Sequence, residues 1–139
     1  MENLFSSYNS IESNVRVGLC KKNSSEIINY LKETKKYSDE NIMDFFLDVL
    51  KLAVSADLDF SSGEYEFYTK VIGSSLNNDQ LFDRTNKGAS KDFKEKMYTT
   101  ISSFKKDIRN DVFSLILHIL AYDGPINDKE KLFFKGFYK

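Results

Sequence analysis

"VFSLILHILAYDGPINDKE", residues 112–130, holds the most apolar run of the chain and the acidic bend that follows it. Val112, Leu115, Ile116, Ile119 and Leu120 recur at three- and four-residue spacing, the period of a helix with a buried face. Phe113 and Leu117 fall outside that stripe, so this helix is apolar almost all round and belongs at the centre of the molecule. The apolar stretch ends at Tyr122, far short of the roughly 20 residues that span a bilayer.

The bend has a forerunner. "DGPINDKE", 123–130, repeats the spacing of "DLDFSSGE", 57–64, without a gap: Asp123, Ile126, Asn127 and Glu130 each stand 66 positions after Asp57, Phe60, Ser61 and Glu64. Both segments follow a long apolar helix and precede a shorter amphipathic one. Ser61 with Glu64 forms a capping box: the hydroxyl accepts from the Glu backbone N–H, and the carboxylate reaches back to the cap N–H. Asn127 with Glu130 is a looser variant. Phe60 and Tyr65 occupy the two positions of a hydrophobic staple, which the second copy lacks because Lys131 replaces the apolar residue.

The aspartates need a different reason. A carboxylate at a helix C-terminus meets the negative end of the macrodipole, a cost of several tenths of a kcal/mol. Its partner is a turn N–H, a basic side chain or a cation, and the residues alone leave all three open. If the two hairpins pack about a pseudo-two-fold axis, Asp57, Glu64, Asp123 and Glu130 converge, with Asp59 as a possible fifth carboxylate. Such an all-oxygen set suits Mg²⁺, Ca²⁺ or Mn²⁺ and not Zn²⁺. Neither bend is an EF-hand. In the first, Ser62 stands where glycine is needed and Tyr68 where the bidentate glutamate is needed; in the second, Pro125 takes a ligand position.

Working outward, helical spacing covers nearly the whole chain. Leu4, Phe5, Tyr8, Ile11 and Val15 make one stripe of a first helix, and Ile27, Ile28 and Leu31 a short second one after capping candidates at Asn23 to Ser25. Ser38, with Asp39 and Glu40, opens a helix carrying Ile42, Phe45, Phe46, Val49, Leu50, Ala53 and Ala56. Ser62 to about Ile72 is expected to bury Tyr65, Tyr68, Val71 and Ile72. Residues 73–90 read as a connector with a helical turn around Gln80 to Phe82. Ser90 caps a helix with Phe93, Met97, Ile101 and Phe104 inward, and a break is expected near Asp107 to Asp111. Leu132, Phe133, Phe134 and Phe137 mark a last helix, with Leu132, Phe133 and Phe137 docked and Phe134 or Tyr138 partly exposed. No segment alternates with period two. The class is all-α.

The totals fit one domain over residues 1–139. Hydrophobic residues are 41% of the chain and aromatics 14%, enough for a single core. Lys plus Arg is 20 against Asp plus Glu 21, so no overall field favours nucleic acid or an anionic membrane. Cys20 is the sole cysteine, which excludes an intrachain disulfide and favours a reducing compartment. "MENLFSSYNS" has neither the basic start nor the apolar stretch of a signal peptide. A soluble, cytoplasmic protein is expected.

"AVSADLDFSSGE" (53–64) and "LAYDGPINDKE" (120–130) together resemble the paired A-x-x-D-G-x-[IF]-[STN]-x-x-E hallmark of the TerB-like tellurite-resistance family. Leu58 replaces the glycine of the first copy, whereas Gly124 keeps that of the second. The resemblance implies a compact bundle of about seven helices whose halves pack as a pseudo-repeat. It also implies an acidic patch, mapping onto Asp57, Glu64, Asp123 and Glu130, that binds a divalent cation in a stress-response setting.

No other group carries a recognised chemistry. His118, the only histidine, has no nucleophile in a known spacing and reads as a core or edge residue with one satisfied nitrogen. Cys20 reads as a small, partly buried residue. Walker loops, dinucleotide fingerprints, HExxH, CxxC and G-x-S-x-G are missing. The expectation is a non-enzymatic cation-binding domain. The alternatives are a protein–protein interaction or self-association module that uses an exposed aromatic surface, its acidic residues serving only as caps, and a metal-dependent enzyme using the carboxylates as metal-bound acid/base groups.

Overall fold

Ser38 Oγ accepts from the Asn41 backbone N–H at 3.1 Å, and this cap starts the helix that its sequence announces. In the computed structural model, residues 2–55, 62–73, 77–85, 90–122, 126, 128, 131 and 132 are described, the side chains of 2–4, 62–64 and 78 excepted. They form α1 (Glu2–Asn9), α2 (Ser13–Glu33), α3 (Asp39–Val54), α4 (Ser62–Ile72), α5 (Asn78–Thr85), α6 (Lys91–Ser102) and α7 (Lys106–Ala121). No strand occurs among the described residues.

Three boundaries differ from the expectation, each for a packing or capping reason. The first helix does not run on to Val15; it ends at Asn9, and α2 then continues unbroken through Asn23 to Ser25. Arg16, Cys20, Ser24, Ile27 and Leu31 carry one buried face across those capping residues, so tertiary contact overrides their local preference. The break expected at Asp107 to Asp111 lies earlier, at Ser103 to Lys105, because buried Ile108 extends the inward stripe of Val112 back toward the N-terminus. The supposed connector contains α5. Its start is a reciprocal box in which Gln80 N–H donates to Asn77 Oδ1 and Asn77 N–H to Gln80 Oε1, both at 2.9 Å. Buried Leu81 and the Tyr65–Thr85 hydroxyl pair, 3.0 Å apart, fasten α5 to α4.

α7 is the central helix, in contact with α1, α2, α3, α4 and α6, as its all-round apolar surface requires. α2 runs antiparallel to it: Arg16 meets His118 at one end, and the rings of Tyr30 and Phe104 meet at 5.5 Å at the other. Lys35, in the left-handed region at φ 58°, turns the chain out of α2 toward Ser38. α3 then returns alongside α7 in the same direction. Phe45 touches Phe104 at the near end, and Phe46 and Val49 face Leu115 and Ile119 farther along, around a cavity of about 10 Å³. Phe46, Phe67, Leu50, Leu52, Ile116 and Leu117 are fully buried. Each contributes about 1.5–3 kcal/mol through burial.

Leu132 does not dock as expected. It is 71% exposed, because residue 131 is the one turned toward α1, with Lys131 Nζ 5.8 Å from the Phe5 ring centroid. Phe133, Phe134, Phe137 and Tyr138 lie outside the described residues. Among the described residues no helix is long and apolar enough to cross a membrane. The fold is an all-α bundle.

Candidate functional site

The helices that lead into the two acidic bends are α3 and α7. Each has 16 residues, about 24 Å of helix. Asp39 to Lys106 and Val54 to Ala121 are each 67 positions apart, one more than the spacing between the bends. Both helices begin near Phe104 and run in the same direction, so Val54 and Ala121 lie toward the same end of the bundle.

The bends themselves are only touched at their edges. Asp57, Asp59, Phe60, Ser61, Asp123, Asn127 and Glu130 lie outside the described residues, and Glu64 is described only as backbone within α4. What is described of the second bend is Ile126, buried as its loop-anchor position requires. Its backbone N–H donates to Asn9 Oδ1 at 2.9 Å. Asp128 is exposed. Among the described residues, no group of three or more His, Cys, Asp and Glu side chains is placed to hold a metal ion.

A buried polar cluster stands behind that bend, where α1, α2 and α7 meet. Arg16 is 3% exposed. Its Nη2 donates to the carbonyls of Tyr8 at 2.7 Å and Ile11 at 3.0 Å, at the end of α1 and in the turn that follows it. A cation also suits that negative helix end. Its Nη1 lies 3.2 Å from His118 Nδ1. A guanidinium only donates, so Nδ1 must accept and the imidazole proton sits on Nε2. His118 is therefore neutral. Burial, and secondarily the Arg16 charge, lower its pKa from 6.5 to about 4. The Tyr8 ring packs edge-on against His118 with centroids 4.7 Å apart, and the Tyr8 hydroxyl meets Ser114 Oγ at 2.7 Å.

Cys20, one turn beyond Arg16, is completely buried, and burial pushes its thiol up to about 12 despite the nearby cation. A protonated thiol is not a nucleophile. His118 lies in the core with Nδ1 satisfied, within the core-or-edge expectation, and Cys20 is fully rather than partly buried. The sequence gives Tyr8 only a place on the first apolar stripe and gives Arg16 no role. The one available signal was an arginine between Val15 and Val17, four positions before an apolar cysteine on a helical face.

A second polar group lies along the α2–α7 seam. Burial raises the Asp111 carboxyl to about 7, followed by the Glu26 carboxyl that hydrogen-bonds to it and by Asp107, while Lys22 opposes the shift. Asp111 Oδ2 has no hydrogen-bond partner. Asp48 on α3 is also raised by burial, with Lys51 and Arg84 opposing and Asp44 adding to the shift. The chain matches no protein-family model, no curated protein and no solved structure.

Proposed function

We propose that the chain is a non-enzymatic, TerB-like helical domain that binds a divalent cation through its two acidic bends. Asp57 and Asp123 are the direct ligands, and Glu64 and Glu130 divide their carboxylates between capping and ligation. The all-oxygen donor set selects Ca²⁺, Mg²⁺ or Mn²⁺. The setting is a cytoplasmic stress response of the tellurite-resistance kind, as the motif resemblance implies.

One observation carries this reading. The two helices that precede the bends in sequence are equally long, packed against each other and codirectional, so their last residues, Val54 and Ala121, lie toward one end of the bundle. Helices running in opposite directions would have sent the aspartates to opposite poles, beyond the reach of one ion with bonds of about 2.3–2.6 Å. The non-enzymatic half rests on His118, engaged by Arg16, and on Cys20, sealed in the core.

Calorimetric titration of the full chain with Ca²⁺, Mg²⁺ and Mn²⁺ tests the reading. Saturable binding by at least one ion is expected, with a loss of at least tenfold in Asp57→Ala and in Asp123→Ala. No heat from any of the three ions on the unmutated protein removes the cation.

A second reading has its own support. Val15 and Leu19 stand one turn apart on α2 and are 49% and 42% exposed, and Phe82 and Tyr98 are also exposed. Exposed apolar surface of this kind serves partner proteins or a second copy of the chain. Concentration-dependent sedimentation that Leu19→Glu abolishes, without any metal-dependent shift in melting, favours this reading over the first.

A further inference from the structure

The two sides of α2 are unlike. Arg16, Cys20, Ser24, Ile27 and Leu31 face the core. On the opposite side Val15, Gly18, Leu19 and Lys22 follow one another at three- and four-residue steps and form one exposed stripe. Val15 is 49% exposed and Leu19 42%. Gly18 stands between them in mid-helix, where glycine weakens a helix relative to alanine. Intrachain packing does not call for it: a methyl group added there meets no described neighbour within 4 Å. A bare backbone between two apolar side chains suits the close approach of another helix.

The charges at the two ends of the stripe are opposite. Glu12, the N-cap of α2, stands three residues before Val15, and Lys22 stands three residues after Leu19. Glu12 is exposed, and its carboxylate makes no capping hydrogen bond. Lys22 is exposed and lies near Asp111 across the α2–α7 seam. Neither forms an ion pair among the described residues. We propose that this face pairs with the same face of a second copy of the chain, the two α2 helices lying antiparallel about a two-fold axis beside Gly18. Turned end for end, the stripe is its own complement. Val15 meets Leu19 of the second copy and Glu12 meets Lys22 of the second copy, each contact occurring twice. A parallel pairing would set Glu12 against Glu12 and Lys22 against Lys22, so the charges select the antiparallel register. The inference rests on the interaction-module reading above, names its partner, and uses none of the residues of the acidic bends. The contact spans only about three helical turns, so the dimer belongs to the weak, reversible class.

Sedimentation equilibrium of the full chain tests the pairing from about 10 µM to about 1 mM, the range in which weak association is visible. The wild type should follow a monomer–dimer equilibrium. Gly18→Leu should abolish it by holding the backbones apart, while the dilute protein keeps its helical circular dichroism, because the added side chain meets no described neighbour. Lys22→Glu and Glu12→Lys, taken singly, turn both symmetry-related ion pairs into repulsions and should each weaken the dimer about tenfold. An equimolar mixture of those two variants sets opposite charges together at both ends, and it should associate at least as well as the wild type. A wild-type chain that stays monomeric at about 1 mM overturns the pairing and self-association together. A dimer that Gly18→Leu and Lys22→Glu leave intact overturns the pairing alone, and self-association then uses another face. A mixture that regains no association overturns the antiparallel register on which the pairing depends.

Discussion

Lowering the pH from 7 to 4 should unfasten the α1–α2–α7 junction through one group. His118 is neutral in the folded state because its Nδ1 accepts from Arg16, and its pKa falls from 6.5 to about 4, by burial first and the Arg16 charge second. In the unfolded chain the imidazole takes up a proton as the pH drops through about 6.5. The unfolded state thus binds more protons between those two values, and stability must fall with pH there. The contribution is fully present above 6.5, is lost progressively below it, and is gone near pH 4. A difference of about 2.5 pH units at about 1.4 kcal/mol each comes to roughly 3 kcal/mol. A domain of this size is stable by only about 5–15 kcal/mol, so the loss should be plain.

Because His118 is the only histidine, its Cε1–H gives a single proton resonance to follow. The midpoint should lie near pH 4, and urea unfolding at several pH values should show the matching decline in stability. Arg16→Met should raise the midpoint while leaving it below 6.5, since burial, the larger cause, remains. His118→Asn keeps an acceptor near the Nδ1 position and cannot titrate. It should unfold with a flatter pH dependence between 6.5 and 4, whatever its absolute stability. A Cε1–H midpoint at 6–6.5 in the folded protein would refute the junction as described.

Asp111 should act in the opposite sense. Its carboxyl is raised to about 7, so the folded state holds a proton that the unfolded state releases, and its contribution is lost as pH rises from about 4 to 7. Asp111 is half-buried, with Oδ2 itself shielded from solvent, and screening at the exposed part reduces the effect to about 1 kcal/mol. Asp111→Asn should therefore stabilise the protein at pH 8 by about that amount and change little at pH 4, as read by urea midpoints. Cys20, fully buried with its thiol near 12, should react with a thiol-specific disulfide reagent only at the rate of global unfolding. Labelling within seconds at pH 7.5 in native buffer would count against the packing of α2 on α7.

The long-range architecture was more legible than its local punctuation. α3 and α7 could be read because their apolar spacing is dense and begins near a capping serine or a short break; the break before α7 was misplaced by only a few residues. α2 was harder. Asn23 to Ser25 look like a helix start because their side chains can satisfy a free N–H, yet Ser24 is buried in mid-helix. What decides the matter is the continuous face from Arg16 to Leu31 against α7, a contact between positions far apart in the chain. α5 was hidden for the converse reason. Its start uses Asn77 and Gln80, a box built from two amides rather than from a hydroxyl and a carboxylate, and only Leu81 and Phe82 announce an apolar side. The site was legible as a pair of spaced carboxylates and no further. The Arg16–His118 pairing spans 102 positions, and no local period encodes it.

Arg16 ties these threads together energetically. A buried cation that forms no ion pair among the described residues is costly, and burial lowers its pKa. Three acceptors offset that cost: the Tyr8 carbonyl in the last turn of α1, the Ile11 carbonyl between α1 and α2, and the imidazole of α7. A leucine there would fill the space more cheaply but would leave the Tyr8 and Ile11 carbonyls with fewer donors and His118 Nδ1 without any. The arginine thus fixes the end of α1 on α7, and Asn9 at that end accepts from the Ile126 N–H. A chain that needed α1 only to cover the core through Phe5 would have no use for a cation at that joint.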